Sequence, residues 1–305
     1  MAATDWPDIA RFAAGNTGVP YVWTFDGAAP GPHVMVNCLT HGNEPAGAIA
    51  VCRLLDEGTR PVRGRLTLSF ANIAAYEAFR AGRDLPARFL DRDMNRLWRD
   101  DWIDADTTSR EAARARELRL VIGGVDMLLD LHTTASVAQP FFVIAEMDKP
   151  RALADRMAWP PIQQLMPGGC LDGRHTIDYG AFSDPDDPRT AVTVECGRHT
   201  DLSAGDLAYR AARRFLDAVG ALADDGPAPS DPIHRYRIVE PYDLRSDDFT
   251  LAIPDTGFVP VKAGEAVAKD GDETVTAPYD AVVIAPRPSP KKGGTAFLWA
   301  IEIDP

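Results

Sequence analysis

His41 and Glu44 stand three residues apart in the stretch "LTHGNEPAG", which follows the apolar run 33–39. An imidazole nitrogen and a carboxylate oxygen on so short a segment can act as two ligands of one divalent cation if a third comes from elsewhere. A polar turn whose glutamate happens to precede a helix reads the same way from this fragment alone. The chain has six histidines: His33, His41, His132, His175, His199 and His234. His132 directly follows the apolar run "VDMLLDL", residues 125–131, so it too belongs at the mouth of a buried strand, where open α/β sheets place their sites. A catalytic zinc takes three protein ligands, His₂Glu among the known sets, and leaves a fourth position to water. His41, Glu44 and His132 are therefore candidate ligands of one Zn²⁺ per chain, although a lone strand-end histidine is more commonly an ordinary hydrogen-bonded loop residue. His33 and His234 fall at element starts and are expected in solvent. His175 and His199 lie near other polar candidates.

Two further segments carry chemistry. "ARFLDRDMNRLW", residues 87–98, ends its polar part in Asn95-Arg96, a neutral donor beside a planar bidentate fork suited to a carboxylate. A charged surface loop is the plainer reading of the same residues. In "VTVECGRH", Glu195 closes an apolar strand, where desolvation could lift its pKa into a general base's range. A strand-terminal glutamate facing water fits that fragment equally well.

These residues need a scaffold to bring them together, and the periodicity supplies one. A short capped helix opens the chain around residues 5–15. Strands are expected at 21–25, 33–39, 65–71, 125–131, 141–145 and 191–195, and helices at 46–56, 111–122 and 207–222. Pro45 suits the first turn of the helix it precedes. Strands alternating with helices imply an α/β layer around a mixed sheet flanked by helices. The acidic, Pro- and Gly-rich stretch "ADDGPAPSDP" then reads as a linker. Beyond it lie short β-like pieces at 236–239, 258–261, 281–284 and 297–303, with no helix between them. The expected division is a catalytic α/β domain over 1–224, a linker over 225–233 and a small all-β sandwich or barrel over 234–305. The cadence of 259–286 is that of a lipoyl-like barrel without the hairpin lysine that would carry a prosthetic group, so the module reads as scaffold or lid.

Composition narrows the function. With 305 residues and 45% apolar content the chain can bury a full core. No window approaches a membrane span, and the acidic N-terminus is unlike a secretory signal, so a cytoplasmic protein is expected. Cys38, Cys52, Cys170 and Cys196 are scattered, without a Cys-x-x-Cys pair, and read as reduced thiols. A formal charge of −13 argues against nucleic acid or an anionic membrane as partner.

Taken together, "HGNE" at 41–44, "RFLDRDMNR" at 88–96, "DLH" at 130–132 and "VECG" at 194–197 resemble the succinylglutamate desuccinylase/aspartoacylase family, a branch of the zinc carboxypeptidase superfamily. The motifs occur in the family's order and span roughly residues 30–220. The resemblance implies a zinc-carboxypeptidase-like fold with a small C-terminal β domain, and a zinc-dependent hydrolase of small anionic N-acyl amino acids. It implies His41, Glu44 and His132 as zinc ligands and Glu195 as the base that activates water and later protonates the leaving amine. Arg88 would hold the carbonyl oxygen, Asn95 and Arg96 would bind a substrate carboxylate, and Asp93 would orient a ligating histidine. Homo-oligomerisation is compatible with this picture. The family's C-terminal tyrosine and lysine have only loose counterparts in Tyr279 and Lys291-Lys292, and Arg174, His175, Tyr179 and Arg189 are left as candidates for further substrate contacts. A carboxypeptidase trimming peptide C-termini, and a non-catalytic binding protein on the same fold, are the alternatives.

Overall fold

Strand β2 (Ala29–Cys38) is sandwiched between two parallel neighbours, β3 (Arg63–Phe70) and β4 (Met127–Thr134), and β4 pairs in parallel with β7 (Thr190–Arg198). These four strands are the centre of a computed structural model that describes residues 6–82, 88–136, 138–169, 173–199, 201–222, 232–284 and 292–303. Both faces of a parallel sheet must be covered, and the sequences comply: the inner parts of β4 and β7 are near-continuous apolar runs. Val36, Leu129, Val192 and Val194 are fully buried in one core cluster. Sealing each such side chain from water contributes about 1.5–3 kcal/mol.

The full sheet has eleven strands among the described residues, in the order β1-β3-β2-β4-β7-β5-β6-β8-β14-β13-β10. Here β1 is Val22–Asp26, β5 Phe141–Ala145, β6 Ile162–Met166, β8 His234–Asp243, β10 Phe258–Val261, β13 Ala281–Ile284 and β14 Thr295–Glu302. Mixed pairing is present as expected, since β5 runs antiparallel to β7 while β6 runs parallel to both β5 and β8. A second sheet, β12-β11-β9, is built from Glu273–Thr276, Ala266–Asp270 and Phe249–Leu251. Val267, Val275, Val283, Phe297 and Trp299 from the two sheets meet in one apolar cluster, which makes the C-terminal region a sandwich. Its first sheet is continuous with the sheet of the α/β region through the β6–β8 ladder. Of the expected linker, residues 225–231 lie outside the described residues, as does Cys170. No helix is long and apolar enough to cross a membrane among the described residues.

Helices α1 (Ala46–Asp56) and α6 (Ala204–Ala218) pack together on one face, and α4 (Arg110–Ile122) covers the other. The sequence missed α2 (Ile73–Arg80) and α5 (Asp148–Met157), short helices, although Asn72 caps the first by accepting from Ala75 N and Pro150 sits in the first turn of the second. It also missed α3 (Asp100–Ala105) and β6, whose buried Gln163 and Gln164 break the apolar pattern of a core strand. Gln163 is satisfied there by Asp155 and Arg235. The opening helix is reduced to a 3-10 turn at Ala10–Phe12. His33 is not left to solvent: Nδ1 contacts the carbonyl of Gly124 at 2.9 Å and Nε2 the hydroxyl of Thr67 at 2.7 Å.

Gly47 is the point where α1 lies closest to the sheet. A Cβ there would sit 2.7 Å from Cys38 Cβ and 3.1 Å from Leu131 Cβ. Replacing Gly47 with Ala should force the helix off the strands that present His41 and His132, costing about 1–3 kcal/mol. Urea denaturation measures this, and an unchanged midpoint would contradict the close-approach argument.

Candidate active site

All four central strands end on one edge, and the predicted site residues follow from those ends. β2 stops at Cys38, and Leu39 turns the chain with a left-handed φ of 60°, a conformation costing a non-glycine residue about 1–2 kcal/mol. The turn is held from behind, since Ala71 N donates to Cys38 O and Asn72 N to Leu39 O, each at 2.8 Å. Four residues of loop, Thr40 to Asn43, then deliver Glu44 to the N-terminal end of α1. From the neighbouring strand comes His132, whose register partner on β7 is Glu195.

His41, Glu44 and His132 are each 2% exposed, and each offers one ligand atom within 4.8 Å of the other two. His41 Nδ1 lies 2.8 Å from Glu44 Oε1, and His132 Nδ1 lies 2.9 Å from Glu44 Oε2. The far nitrogens meet carboxylates as well: His41 Nε2 is 3.0 Å from Asp93 Oδ1, and His132 Nε2 is 3.0 Å from Asp130 Oδ2. A carboxylate at Nε2 favours the Nε2–H tautomer and turns the Nδ1 lone pair inward. Two inward lone pairs then face the oxygens of Glu44, an arrangement that is repulsive unless positive charge sits among them. The donor set therefore fits a divalent cation bound by two neutral imidazoles and a carboxylate.

A proton on an imidazole can supply that positive charge as well, and the electrostatics show the pull for it. Burial alone would raise the Glu44 carboxyl, but His41 and His132 outweigh it and hold it well below its ordinary range. Burial would likewise lower the His132 imidazole, yet Asp130 and Glu44 push it well upward. Asp93 and Asp130 are depressed against the same cost of burial, Asp93 chiefly by His41 with help from Arg88, and Asp130 chiefly by His132. Glu195 behaves oppositely: burial and then the charge of Glu44 lift its carboxyl to about 8. One face of the residue is partly accessible, but Oε2 is sealed from solvent and makes no hydrogen bond among the described residues.

Arg88 bridges the cluster, donating from Nη1 to Glu44 Oε1 at 3.1 Å and from Nε to Asp93 Oδ2 at 3.2 Å. Asn95 is buried, and its carbonyl oxygen accepts from Thr176 N at 2.9 Å, which leaves its amide hydrogens as the group able to meet a ligand. Arg96 Nη1 donates to Asn95 O and lies 3.1 Å from His175 Nε2. Gly173 permits this packing, because a Cβ there would fall 2.8 Å from the Arg96 carbonyl oxygen. Of the other candidates, Tyr179 donates to Asp100 and Arg189 pairs with Asp187 and Gly123 O, contacts that serve the scaffold. Tyr279 packs against the sandwich core, and Lys292 N donates to Asp247.

Asp130 lies against the donor set, though the sequence analysis assigned it no role. It accepts from Asn37 Nδ2 at 2.9 Å and Thr40 Oγ1 at 3.1 Å, a buried network dedicated to one oxygen pair that faces His132. Residues i and i+2 of a strand share a face, so Asp130 and His132 could have been coupled from spacing alone. His199, named from the sequence as lying near polar candidates, stands one contact further out: its Nδ1 is 2.7 Å from Thr133 Oγ1, while Thr133 N donates to Glu44 Oε2.

A sequence profile of the succinylglutamate desuccinylase/aspartoacylase catalytic domain matches residues 30–221. The succinylglutamate desuccinylase of Idiomarina loihiensis is 26% identical over an alignment 304 positions long, gaps included, covering 90% of this chain and 84% of the relative. Among solved structures, succinylglutamate desuccinylase from Vibrio parahaemolyticus superposes with a TM-score of 0.70 at 21% identity, covering 93% of this chain and 87% of the other. The product-bound ectoine utilization protein EutE of Ruegeria pomeroyi gives 0.67 at 19% identity, covering 92% and 87%. With its four motifs converging at one sheet edge inside the matched region, the chain belongs to the succinylglutamate desuccinylase/aspartoacylase family.

Proposed function

We propose that this protein is a zinc-dependent amide hydrolase that releases the acyl group from a small N-acyl amino acid. The observation that carries the reading is the β4–β7 register, which sets Glu195, with its unpartnered Oε2, beside a buried His₂Glu donor set. Membership of a family named for desuccinylase and aspartoacylase activities supports the class of substrate.

His41, Glu44 and His132 would hold the ion. Zinc in such a site lowers the pKa of water to about 7 and can polarise a carbonyl. The remaining work falls to side chains. Glu195, raised by burial, is matched to take a proton from the attacking water and return it to the amine as the C–N bond breaks. Arg88, already beside Glu44, can donate to the amide oxygen as negative charge grows there. The amide of Asn95 and the guanidinium of Arg96 offer a fixed carboxylate clamp at the substrate's other end. Asp93 and Asp130 orient the two imidazoles and keep their lone pairs inward.

Three outcomes are expected. Replacing Asp130 with Asn should weaken zinc binding about 10–100-fold in a chelator competition, since the imidazole loses its anionic anchor; wild-type affinity would remove Asp130 from the site. Glu195→Gln should retain zinc but lose turnover, and full activity in that variant would refute the base. Arg88→Ala should lower kcat/KM about 100–1000-fold with the metal in place. These rates should be read on a panel of N-acyl amino acids assayed beside peptides with free C-termini. Preference for the peptides would replace the deacylase reading by a carboxypeptidase one.

A further inference from the structure

Glu111 is fully buried in the first turn of α4, yet it touches none of the residues that form the donor set. Its Oε1 accepts from Leu90 N at 2.8 Å and from Asn72 Nδ2 at 3.2 Å. Its Oε2 accepts from Asp91 N at 3.1 Å and Arg92 N at 3.2 Å. A carboxylate has about four acceptor sites, and all are taken. The three amides belong to the segment between Arg88 and Asp93, the residues that contact Glu44 and His41. Among the described residues, the backbone of 90–92 makes no hydrogen bond to other backbone, so Glu111 takes the place of a strand partner. The contact is reciprocated: Asp91 accepts from Arg110 N at 2.9 Å and from Arg110 Nε and Nη2 at 2.7 Å. Core packing alone does not call for this residue. An apolar side chain would fill the position without the desolvation cost of a carboxyl group, which is repaid only if hydrogen bonds satisfy it.

We propose that Glu111 is a positioning residue for the reaction, a buried clamp whose carboxylate fixes the 90–92 backbone and thereby aims Arg88 and Asp93 at the donor set. Asn72 joins the same carboxylate to the exit of β3, so the loop is indexed to the sheet edge that carries the site. A guanidinium displaced by about 1 Å loses much of its advantage, a misplacement that can cost on the order of 100-fold in rate.

The inference rests on the hydrolase reading above, and its test separates the two. In the zinc-loaded full-length protein, Glu111→Gln keeps the side-chain shape but turns an NH₂ toward backbone N–H groups. The expected result is a fall of about 10–100-fold, concentrated in kcat, with the thermal transition retained. Adding Arg88→Ala should then cost only on the order of 10-fold further, well short of its effect in the unaltered protein, because part of the arginine's contribution is already lost. Hydrogen exchange should quicken at least about 10-fold for the peptide covering 88–93 and stay unchanged in β2 and β4. Additive losses in the double variant, or exchange that quickens evenly through the chain, would overturn the proposal. Should Glu111→Gln fail to fold, Glu111→Asp, which keeps both oxygens but withdraws them by a methylene, takes its place in the double variant and the exchange measurement, with the same outcomes for and against. If the unaltered enzyme hydrolyses no amide in the panel, the hydrolase reading falls and the exchange measurement alone decides whether Glu111 clamps the loop.

Discussion

The site depends on where two imidazoles are anchored. Each histidine has a carboxylate oxygen 3.0 Å from its outer nitrogen, Asp93 for His41 and Asp130 for His132, which favours the tautomer whose lone pair faces inward. With those anchors in place, Glu44 cannot sit comfortably between the rings without a compensating positive charge. The anchors themselves are costly, being buried carboxylates, and much of the surrounding polar structure exists to satisfy them. Asn37 and Thr40 serve Asp130; Arg88 and the backbone N–H of Asn95 serve Asp93. The local fold is thus organised around stabilising negative charge next to the donor set, in a chain whose overall charge already has that sign.

The parallel sheet makes this arrangement compact. Adjacent parallel strands end together, so a loop after β2, the last residues of β4 and the last residues of β7 arrive at one edge without long detours. Register fixes the rest: Cys38 lies opposite Leu131 and His132 opposite Glu195. A one-residue slip in either ladder would send a ligand or the candidate base to the opposite face of the sheet. Extensive burial of Val36, Leu129, Val192 and Val194 on the apolar face opposes such slips.

Much of this was legible in the sequence. The strands bearing the site residues are long apolar runs, and α1, expected at 46–56, lies at Ala46–Asp56. The His-x-x-Glu pair and the strand-end His132 pointed to a metal before any fold was known. What escaped detection shares a physical cause. Asp130, Glu111, Gln163 and Gln164 are polar residues in the interior, where hydrophobic periodicity treats them as noise, and their partners are often dozens of residues away. Short α2 and α5 carry too few turns for a periodic signal and derive their stability from docking onto the sheet. Expectations for surface positions failed in the same manner: His33 reads as an ordinary element start but is held by Gly124 and Thr67, one of them 91 residues away.

The ladder between β6 and β8 has a consequence for how the C-terminal sandwich behaves. A module tied to the catalytic sheet by main-chain hydrogen bonds from Ile162–His234 to Leu165–Arg237, and by Phe141 against Phe258 at 5.0 Å, does not swing on a tether. It is the continuation of the same β-structure. Removing everything after residue 222 would leave β6, buried within the sheet, as a naked border with unpaired amides and with Leu165 and Met166 uncovered. Such a border recruits other chains. By pairing with β6, strand β8 closes an edge that would otherwise be open to other chains.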